Sequence, residues 1–292
     1  MPASRPDVLA RHPSHLGEGP CWHGGRGTLW WVDILGRTVH EVGLAGGKVR
    51  TLALPQMPGA IVVAAAGDFL AALREGFFRL DPETGALRPV ASAPDHDPRE
   101  FRFNDGKVDP QGRFWAGTLA LDFRPGQSFL YRLDADRSVA VMRRGVGISN
   151  GLAWSPDART LYYVDSPTRL VQRFDYDPAC GSVGEPSVAI RLAEADGFPD
   201  GCSMDAEGCL WLAHWGAAKL TRWDPRSGRL VRTVPLPVRN VTSCAFGGPG
   251  LDRLFITTAR DDENLAPEPE AGFVFCLDPG VPGLPVAACA VA

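Results

Sequence analysis

Residues 197–208 read GFPDGCSMDAEG, and they run directly into residues 209–213, which read CLWLA. The glycines and the proline are typical of a sharp loop around Asp200. The following residues predict a short strand, a turn that ends at Gly208 and a second strand that contains Trp211. The segment therefore predicts a strand–turn–strand unit whose entry loop carries a carboxylate.

Copies of this unit occur at three other places, at residues 18–31, 104–115 and 149–163. The four copies align on the strand residues Trp22, Val108, Trp154 and Met204. In this alignment an oxygen-bearing side chain falls four residues earlier in every copy: Glu18, Asn104, Asn150 and Asp200. Equal register in a repeat means an equal place in the repeat unit. If the units surround one axis, these four side chains converge.

The composition of the chain excludes several classes of protein. Its 292 residues are 45% hydrophobic and 22% charged, as in an ordinary globular protein. A net charge of -4 does not favour nucleic acid or an anionic membrane as a partner. The start of the chain lacks an apolar signal segment, and the seven cysteines lack paired spacing. We therefore expect a cytoplasmic protein with reduced, mostly buried thiols.

The whole chain divides into six units of about 42–50 residues, the length of a four-stranded propeller blade. Each unit has short strands, a Gly or Asp-Gly turn and an apolar segment that ends in Asp. Helical periodicity is weak throughout. We therefore predict an all-β fold, a six-bladed β-propeller that forms a single domain over residues 1–292. Residues 7–10 are expected to add a strand to the blade that contains residues 272–277, which closes the ring.

In a propeller the loops that enter the innermost strands lie at one mouth of the central channel. Glu18, Asn104, Asn150 and Asp200 would therefore ring that mouth, with Ile61 and Thr242 expected at the same register in the second and sixth units. Carboxylate and amide oxygens suit hard divalent cations such as Ca²⁺, Mg²⁺ or Mn²⁺. The alternative is that these residues only form turns. Their shared register, and the presence of a glutamate among them, favour a site.

Other polar residues occupy repeated positions near the expected mouth. Arg102 precedes Asn104 by two residues, so on an extended segment both point to the same side. It is either a ligand-binding guanidinium or a solvated loop residue. A second column lies at the ends of the second strands: Asp33, Thr118, Asp165, His214 and Thr258. His214 is either a proton carrier or, as we favour, a partly buried histidine with a hydrogen-bond partner.

The chain resembles the SMP-30/gluconolactonase family over essentially its whole length. The resemblance is carried by LGEGP at 16–20, RFNDGKVD at 102–109, SNGL at 149–152, PDG at 199–201 and FGG at 246–248. It implies a six-bladed propeller with one divalent metal in the channel: Ca²⁺, Zn²⁺, Mg²⁺, Mn²⁺ or Fe²⁺. The implied metal ligands are Glu18, Asn150 and Asp200, and the implied substrate-contacting residues are Arg102 and Asn104. Some relatives have a substrate-contacting Glu after the strand matching residues 115–118, where this chain has Asp122 nearby.

We hypothesise a sugar lactonase, a carboxylic ester hydrolase that opens an aldonolactone of the gluconolactone or xylonolactone type to its aldonic acid. The metal would polarise the lactone carbonyl, Asp200 would act as general base, and Arg102 and Asn104 would orient the substrate. Three alternatives stay open. They are a regucalcin-like calcium-binding regulatory protein, a non-enzymatic propeller scaffold, and an organophosphate or other ester hydrolase. The expected partner is a small sugar lactone rather than a nucleic acid or a membrane.

Overall fold

The structure is a computed structural model that describes residues 5–260 and 268–291. Within this part of the chain, 24 strands form six four-stranded antiparallel sheets. Helical structure in the same residues is limited to two 3₁₀ turns, Ser166–Thr168 and Glu194–Asp196. The prediction of an all-β, six-bladed propeller is confirmed. None of the described helices is long and apolar enough to span a membrane.

In blades 1 to 5 the strands run outward from the channel in chain order. Blade 1 contains β2 (Gly17–His23), β3 (Thr28–Asp33), β4 (Thr38–Gly43) and β5 (Arg50–Ala53). Blade 2 contains β6 (Pro58–Val63), β7 (Phe69–Leu73), β8 (Gly76–Leu80) and β9 (Leu87–Ala91). Blade 3 contains β10 (Phe101–Val108), β11 (Phe114–Ala120), β12 (Ser128–Leu133) and β13 (Val139–Val146).

The second half of the chain repeats this arrangement. Blade 4 contains β14 (Ser149–Trp154), β15 (Thr160–Asp165), β16 (Leu170–Asp175) and β17 (Ser187–Arg191). Blade 5 contains β18 (Phe198–Met204), β19 (Leu210–Trp215), β20 (Lys219–Asp224) and β21 (Arg229–Pro235). Blade 6 contains β22 (Asn240–Gly247), β23 (Arg253–Ala259), β24 (Val274–Leu277) and, as its outermost strand, β1 (Asp7–Ala10).

The two ends of the ring are joined by strand pairing. β1 pairs antiparallel with β24, with Val8 opposite Phe275. Because the N-terminal strand completes the last blade, the ring is closed by backbone hydrogen bonds as well as by side-chain packing. This pairing also places the start of blade 1 beside blade 6, where the hydroxyl of Thr242 donates to the carbonyl of Gly17.

A repeated turn at the far end of the blades explains why the sequence unit recurs. The buried carboxylate of Asp205 accepts hydrogen bonds from the backbone N–H of Cys209, from the indole of Trp211 and from Arg222. In blade 3, Asp109 bonds in the same way to the indole of Trp115, which is also fully buried. The acidic residue therefore links the turn to the large aromatic side chain that packs between blades.

The pairing of the first and second strands shifts at the same place in all six blades. A bulge of this kind turns a side chain out of the regular alternation, here toward the channel. Gly59, Asn104, Asp200 and Thr242 lie within the shift, and Glu18 and Asn150 are the last paired residues before it. Our prediction of Ile61 for blade 2 is wrong, since Ile61 pairs with Ala71 and packs in an apolar cluster. Gly59 is required there because a Cβ atom would lie 2.4 Å from the carbonyl carbon of Phe103.

The C-terminal segment crosses the far end of the channel, which the sequence did not lead us to expect. Gly283 donates to the carbonyl of Leu251 in the turn between β22 and β23, and Cys289 donates to the carbonyl of Val63 at the end of β6. Between these anchors, residues 284–288 line a cavity of about 500 Å³ below the inner strands. The channel therefore has two different ends, one covered by this segment and one that carries the bulged polar residues.

Candidate metal and substrate site

The predicted site residues lie together at the bulged end of the channel and are almost completely removed from solvent. None of them is more than 6% exposed: Glu18, Arg102, Asn104, Asn150 and Asp200. They come from four different blades, so only closure of the ring brings them together. Charged side chains are rarely buried this deeply unless they are paired or bind an ion.

A chain of hydrogen bonds connects blades 3 and 4 across the mouth. Arg102 donates through Nη1 to Asn104 Oδ1 at 2.8 Å. Asn104 Nδ2 donates in turn to Asn150 Oδ1 at 3.0 Å and to the carbonyl of Ser149 at 2.8 Å. The guanidinium predicted from sequence spacing therefore belongs to the site and is not a solvated loop residue.

Ser166, which follows β15, extends this chain to blade 5. Its hydroxyl donates to the carbonyl of Pro199 at 2.7 Å and accepts from Asn150 Nδ2 at 2.8 Å. Because the single hydroxyl proton is used on Pro199, Asn150 must present its amide nitrogen to Ser166. This fixes the amide orientation and leaves Asn150 Oδ1 directed to the side where Asn104 lies.

The two asparagines therefore have different capacities. Both amide protons of Asn104 are used, and its oxygen already accepts from Arg102. Among the described residues each of the two amide oxygens accepts one hydrogen bond. The donor to Asn104 Oδ1 is the cationic Arg102, whereas the donor to Asn150 Oδ1 is the neutral amide of Asn104, so a metal cation is repelled less at Asn150. Register alone did not separate these residues, but the hydrogen bonds favour Asn150 as a cation ligand and Asn104 as the residue that orients Asn150 and Arg102.

Burial and mutual repulsion dominate the electrostatics of the two carboxyl groups. The pKa of Glu18 is raised well above its usual range, first by burial and then by the charges of Asp200 and Asp105. The pKa of Asp200 is also raised well above its usual range by burial and by Asp105. Burial lowers the pKa of Arg102 to about 10, although Glu18 and Asp200 oppose that shift. The cluster therefore binds a proton or a cation more strongly than exposed carboxylates would.

The residues present fit a hard divalent cation. Asp200 Oδ1 is buried and has no hydrogen-bond partner among residues 5–260 and 268–291, which is costly for a carboxylate oxygen. Among the described residues, no group of three or more His, Cys, Asp or Glu side chains is arranged to hold a metal ion. A cation at this mouth would therefore use the amide oxygen of Asn150 beside the carboxylates of Glu18 and Asp200, an oxygen set that suits Ca²⁺, Mg²⁺ or Mn²⁺.

The second column of polar residues stabilises loops. Asp33 accepts from the backbone N–H groups of His15, Leu16 and Gly36. His214 is fully buried, with Nδ1 at 2.8 Å from the carbonyl of Asp196 and Nε2 at 2.6 Å from the hydroxyl of Thr221. With both nitrogens in use and its pKa lowered to about 4 by burial, His214 does not serve as a proton carrier at neutral pH.

Thr118, Thr258 and Asp165 have similar local partners. Thr118 accepts from the backbone N–H of Phe129, and Thr258 donates to the carbonyl of Phe273. Asp165 accepts from the backbone N–H groups of residues 147 and 148. Asp122 differs in being exposed, and its carboxylate lies 3.4 Å from the guanidinium of Arg124.

Three residues near the site were not identified from the sequence. Asp105 is buried beside Asn104, Lys107 reaches across the channel to the carbonyl of Cys202, and Ser166 links Asn150 to Pro199. Asp105 and Lys107 lie inside the NDGK segment, where turn residues obscure them. A lysine in an otherwise buried innermost strand is a signal that could have identified Lys107.

Comparisons with known proteins agree with the fold and with the family resemblance of the sequence. The family model of the SMP-30/gluconolactonase/LRE-like region matches residues 16–260. Regucalcin of Gallus gallus is 38% identical over 279 residues, covering 92% of this chain and 93% of that protein. A 6-deoxy-6-sulfogluconolactonase of Pseudomonas putida is 38% identical over 284 residues, covering 94% and 95%. The crystal structure of a calcium-binding regucalcin of Agrobacterium tumefaciens has a TM-score of 0.91 at 33% identity, covering 98% of this chain and 97% of that one.

Proposed function

The chain belongs to the SMP-30/gluconolactonase/LRE-like family, and from this premise we propose that it is a divalent-cation-dependent sugar lactonase. The proposed reaction is hydrolysis of an aldonolactone to the open aldonic acid. The observation that carries the proposal is the buried cluster of Asp200, Arg102 and Asn150. In this cluster Asp200 Oδ1 has no hydrogen-bond partner among the described residues.

Glu18, Asn150 and Asp200 are the residues that would hold the cation. When bound, the cation supplies Lewis-acid polarisation of the lactone carbonyl and offsets the negative charge that develops on its oxygen. The amide of Asn150 is held in the orientation this requires by Ser166. Rigid support of this kind matters because ligand groups must be placed before the substrate arrives.

Arg102 binds and orients the lactone. To the described residues, its guanidinium donates only through Nη1, to Asn104 and to the carbonyl of Phe103. Nε and Nη2 therefore stay available for the hydroxyl or carbonyl oxygens of a sugar. Since two bonds fix the Nη1 side, the remaining donors have a defined direction, which is the condition for orienting a substrate rather than merely attracting it.

Asp200 is the proposed general base. It would accept a proton from the attacking water while remaining one of the residues that would hold the cation. A covalent cysteine intermediate is not part of the mechanism, because burial raises the pKa values of the nearby Cys21 and Cys202 thiols to about 12.

The relatives support a sugar lactone as the substrate class. One of them is a 6-deoxy-6-sulfogluconolactonase, and another is a putative sugar lactone lactonase of Bacillus subtilis, 34% identical over 264 residues. A second candidate function, calcium binding without useful turnover, is favoured by the regucalcins, one of which is described as calcium-binding. Both functions use the same three ligands and differ in catalysis. The seven free thiols support a reducing, cytoplasmic location as part of the proposal.

Proton release from a panel of aldonolactones tests the proposal. The wild-type protein is assayed after chelation and again after Ca²⁺, Mg²⁺, Mn²⁺ or Zn²⁺ is restored, beside Asp200→Ala. Asp136→Ala is the matched control, because Asp136 lies in an exposed turn, where it accepts from Ser138. We expect turnover that requires a cation and is lost in Asp200→Ala but kept in Asp136→Ala. Cation binding without turnover of any lactone would favour the calcium-binding function instead.

A further inference from the structure

Lys107 lies on β10, three residues after Asn104, and its side chain crosses the channel. Its ammonium group donates to the carbonyl oxygen of Cys202 on β18, in blade 5. The inner strand of blade 4, β14, lies between these two strands in the ring. A bond between blades 3 and 5 that passes over blade 4 requires the ammonium to lie inside the channel rather than in a blade interface.

The electrostatic surroundings agree with this central position. Burial raises the pKa values of four groups near the channel, and the positive charge of Lys107 opposes part of each rise. These groups belong to blades 1, 3, 5 and 6, in that order: Cys21, Asp105, Cys202 and Cys244. A single ammonium can act on four blades only from near the axis. It lies on the cavity side of the carboxylate cluster, since Lys107, Asp105 and Ser203 all line the cavity.

The acceptor of this bond belongs to the segment that carries Asp200. The pairing of β18 with β19 is interrupted between Pro199 and Cys202, so the backbone of Asp200 and Gly201 lies outside the regular ladder. The carbonyl groups on both sides of this interruption are bonded from other blades. Ser166 donates to the carbonyl of Pro199, and Lys107 donates to the carbonyl of Cys202.

Among the described residues, no group donates a hydrogen bond to Asp200 Oδ1, so that side of the carboxylate is not fixed by a hydrogen bond. Its position therefore depends on the backbone around it. Gly201 packs closely on blade 6, where a Cβ atom would lie 2.0 Å from the hydroxyl of Ser243. Contact on that side prevents outward movement, and the two flanking carbonyl bonds hold the segment from blades 3 and 4.

We propose that Lys107 is a positioning residue that holds the Asp200 backbone from across the channel, with Ser166 as the second tether on the other flank. Its charge also stabilises the buried carboxylate of Asp105. The effect on turnover rests on the proposed function, whereas the effect on the Asp200 segment and on cation binding does not.

The first test uses the metal-free protein and needs no activity. Hydrogen–deuterium exchange is followed by mass spectrometry in a peptide that covers residues 198–204, for wild type, Lys107→Met and Ser166→Ala. Loss of a hydrogen bond from a charged donor is expected to speed exchange through local opening about tenfold or more in Lys107→Met. The control is Lys48→Met, since Lys48 is exposed and far from the channel in blade 1. Exchange in residues 198–204 equal to wild type in Lys107→Met would overturn the proposal.

The second test separates position from charge by calorimetric titration with Ca²⁺ and Mn²⁺. Removing a positive charge would by itself tighten cation binding, whereas displacement of Asp200 would weaken it. We expect weaker binding in both Lys107→Met and Ser166→Ala, about three- to tenfold, for a loss of one supporting bond. Tighter binding in Lys107→Met together with unchanged binding in Ser166→Ala would show that the charge alone matters and would contradict the positioning role.

The third test is kinetic. Lys107→Met should lower kcat about tenfold with little change in KM, because the substrate is bound by Arg102 while the base is displaced. Lys107→Arg keeps a cationic donor and should recover part of this loss. A kcat equal to wild type in Lys107→Met would contradict the proposal. If the wild-type protein turns over no lactone, the proposed function fails, but the exchange and calorimetric results still decide the role of Lys107.

Discussion

Binding of a divalent cation to the metal-free protein should release close to one proton from the Glu18–Asp200 pair. Both carboxyl groups have raised pKa values because they are buried and because Asp105 adds a third negative charge. A cation that coordinates these oxygens must displace any proton they hold. The perturbation is therefore simple: add Ca²⁺ to chelated protein below the raised pKa values and measure the protons that leave.

The charges of the site give the expected magnitude. Three carboxylates, Glu18, Asp105 and Asp200, face two cations, Arg102 and Lys107, which leaves one net negative charge. One bound proton makes the buried cluster neutral, so one proton should leave when the cation binds. Cation affinity should then rise about tenfold for each pH unit, which is about 1.4 kcal/mol.

Calorimetry in two buffers with different ionisation enthalpies measures this proton release directly. Glu18→Gln is the informative variant, because it leaves two carboxylates facing two cations and no net charge for a proton to neutralise. We expect release near one proton in wild type and near zero in Glu18→Gln, with weaker cation binding in the variant. Affinity that does not change with pH in the wild-type protein would refute the reasoning, because the pair would then hold no proton.

Three further predictions concern stability and substrate binding. Burial lowers the pKa of His214 from its ordinary 6.5 to about 4, so its contribution to stability is complete above pH 6.5 and is lost as the pH falls toward 4. Chemical denaturation should show a loss over that range that is about 3 kcal/mol larger in wild type than in His214→Gln, since the other buried histidines contribute equally to both, and an equal loss in the two proteins would contradict the assignment. Asp205→Ala leaves Arg222 Nε and the indole of Trp211 without their acceptor, although Arg222 Nη2 keeps its bond to Glu207, and should cost about 3 kcal/mol in the free energy of unfolding. Its cation affinity should stay unchanged, and a large loss of affinity would mean that the two ends of the blade are coupled. Arg102→Met should lower kcat/KM for a lactone about 100-fold and tighten Ca²⁺ binding, since a buried positive charge near Glu18 is lost; unchanged kcat/KM would exclude Arg102 from substrate binding.

The ring and the identity of its mouth residues could be predicted because they depend on repetition. Four oxygen-bearing residues at one register, each followed by a strand, are enough to predict convergence once the blades close. The prediction failed in blade 2. The apolar run at residues 61–65 carries no turn marker, so its strand was placed two residues too late and Ile61 was assigned where the structure has Gly59.

The division of roles within the cluster could not be predicted from register. Asn104 and Asn150 occupy equivalent positions, and only their hydrogen bonds to Arg102 and Ser166 distinguish them. The bond from Asn150 to Ser166 joins residues 16 positions apart, and the bond from Asn104 to Asn150 joins residues 46 positions apart. The bond from Arg102 to Asn104 lies within one bulged strand. The periodicity of the sequence predicts none of these contacts. The crossing of Lys107 to Cys202, 95 residues away, is likewise a product of ring closure.

The covering of the far end by residues 282–290 was also outside sequence reasoning. This segment is rich in Pro, Gly and Ala and has neither helical nor strand periodicity. Its path is set by isolated backbone bonds to Leu251, Val63 and Gly112. Such bonds depend on where the blades lie relative to one another, and local sequence does not encode that.

Crystals grown with Mn²⁺ offer the most direct measurement of whether one cation is held between blades 1, 4 and 5. Anomalous scattering locates the ion independently of any assumption about its ligands. We predict one strong peak within about 2.0–2.6 Å of oxygens from Glu18, Asn150 and Asp200 together. A peak that contacts only one of these residues, or a strong peak elsewhere with none at the mouth, would contradict the account.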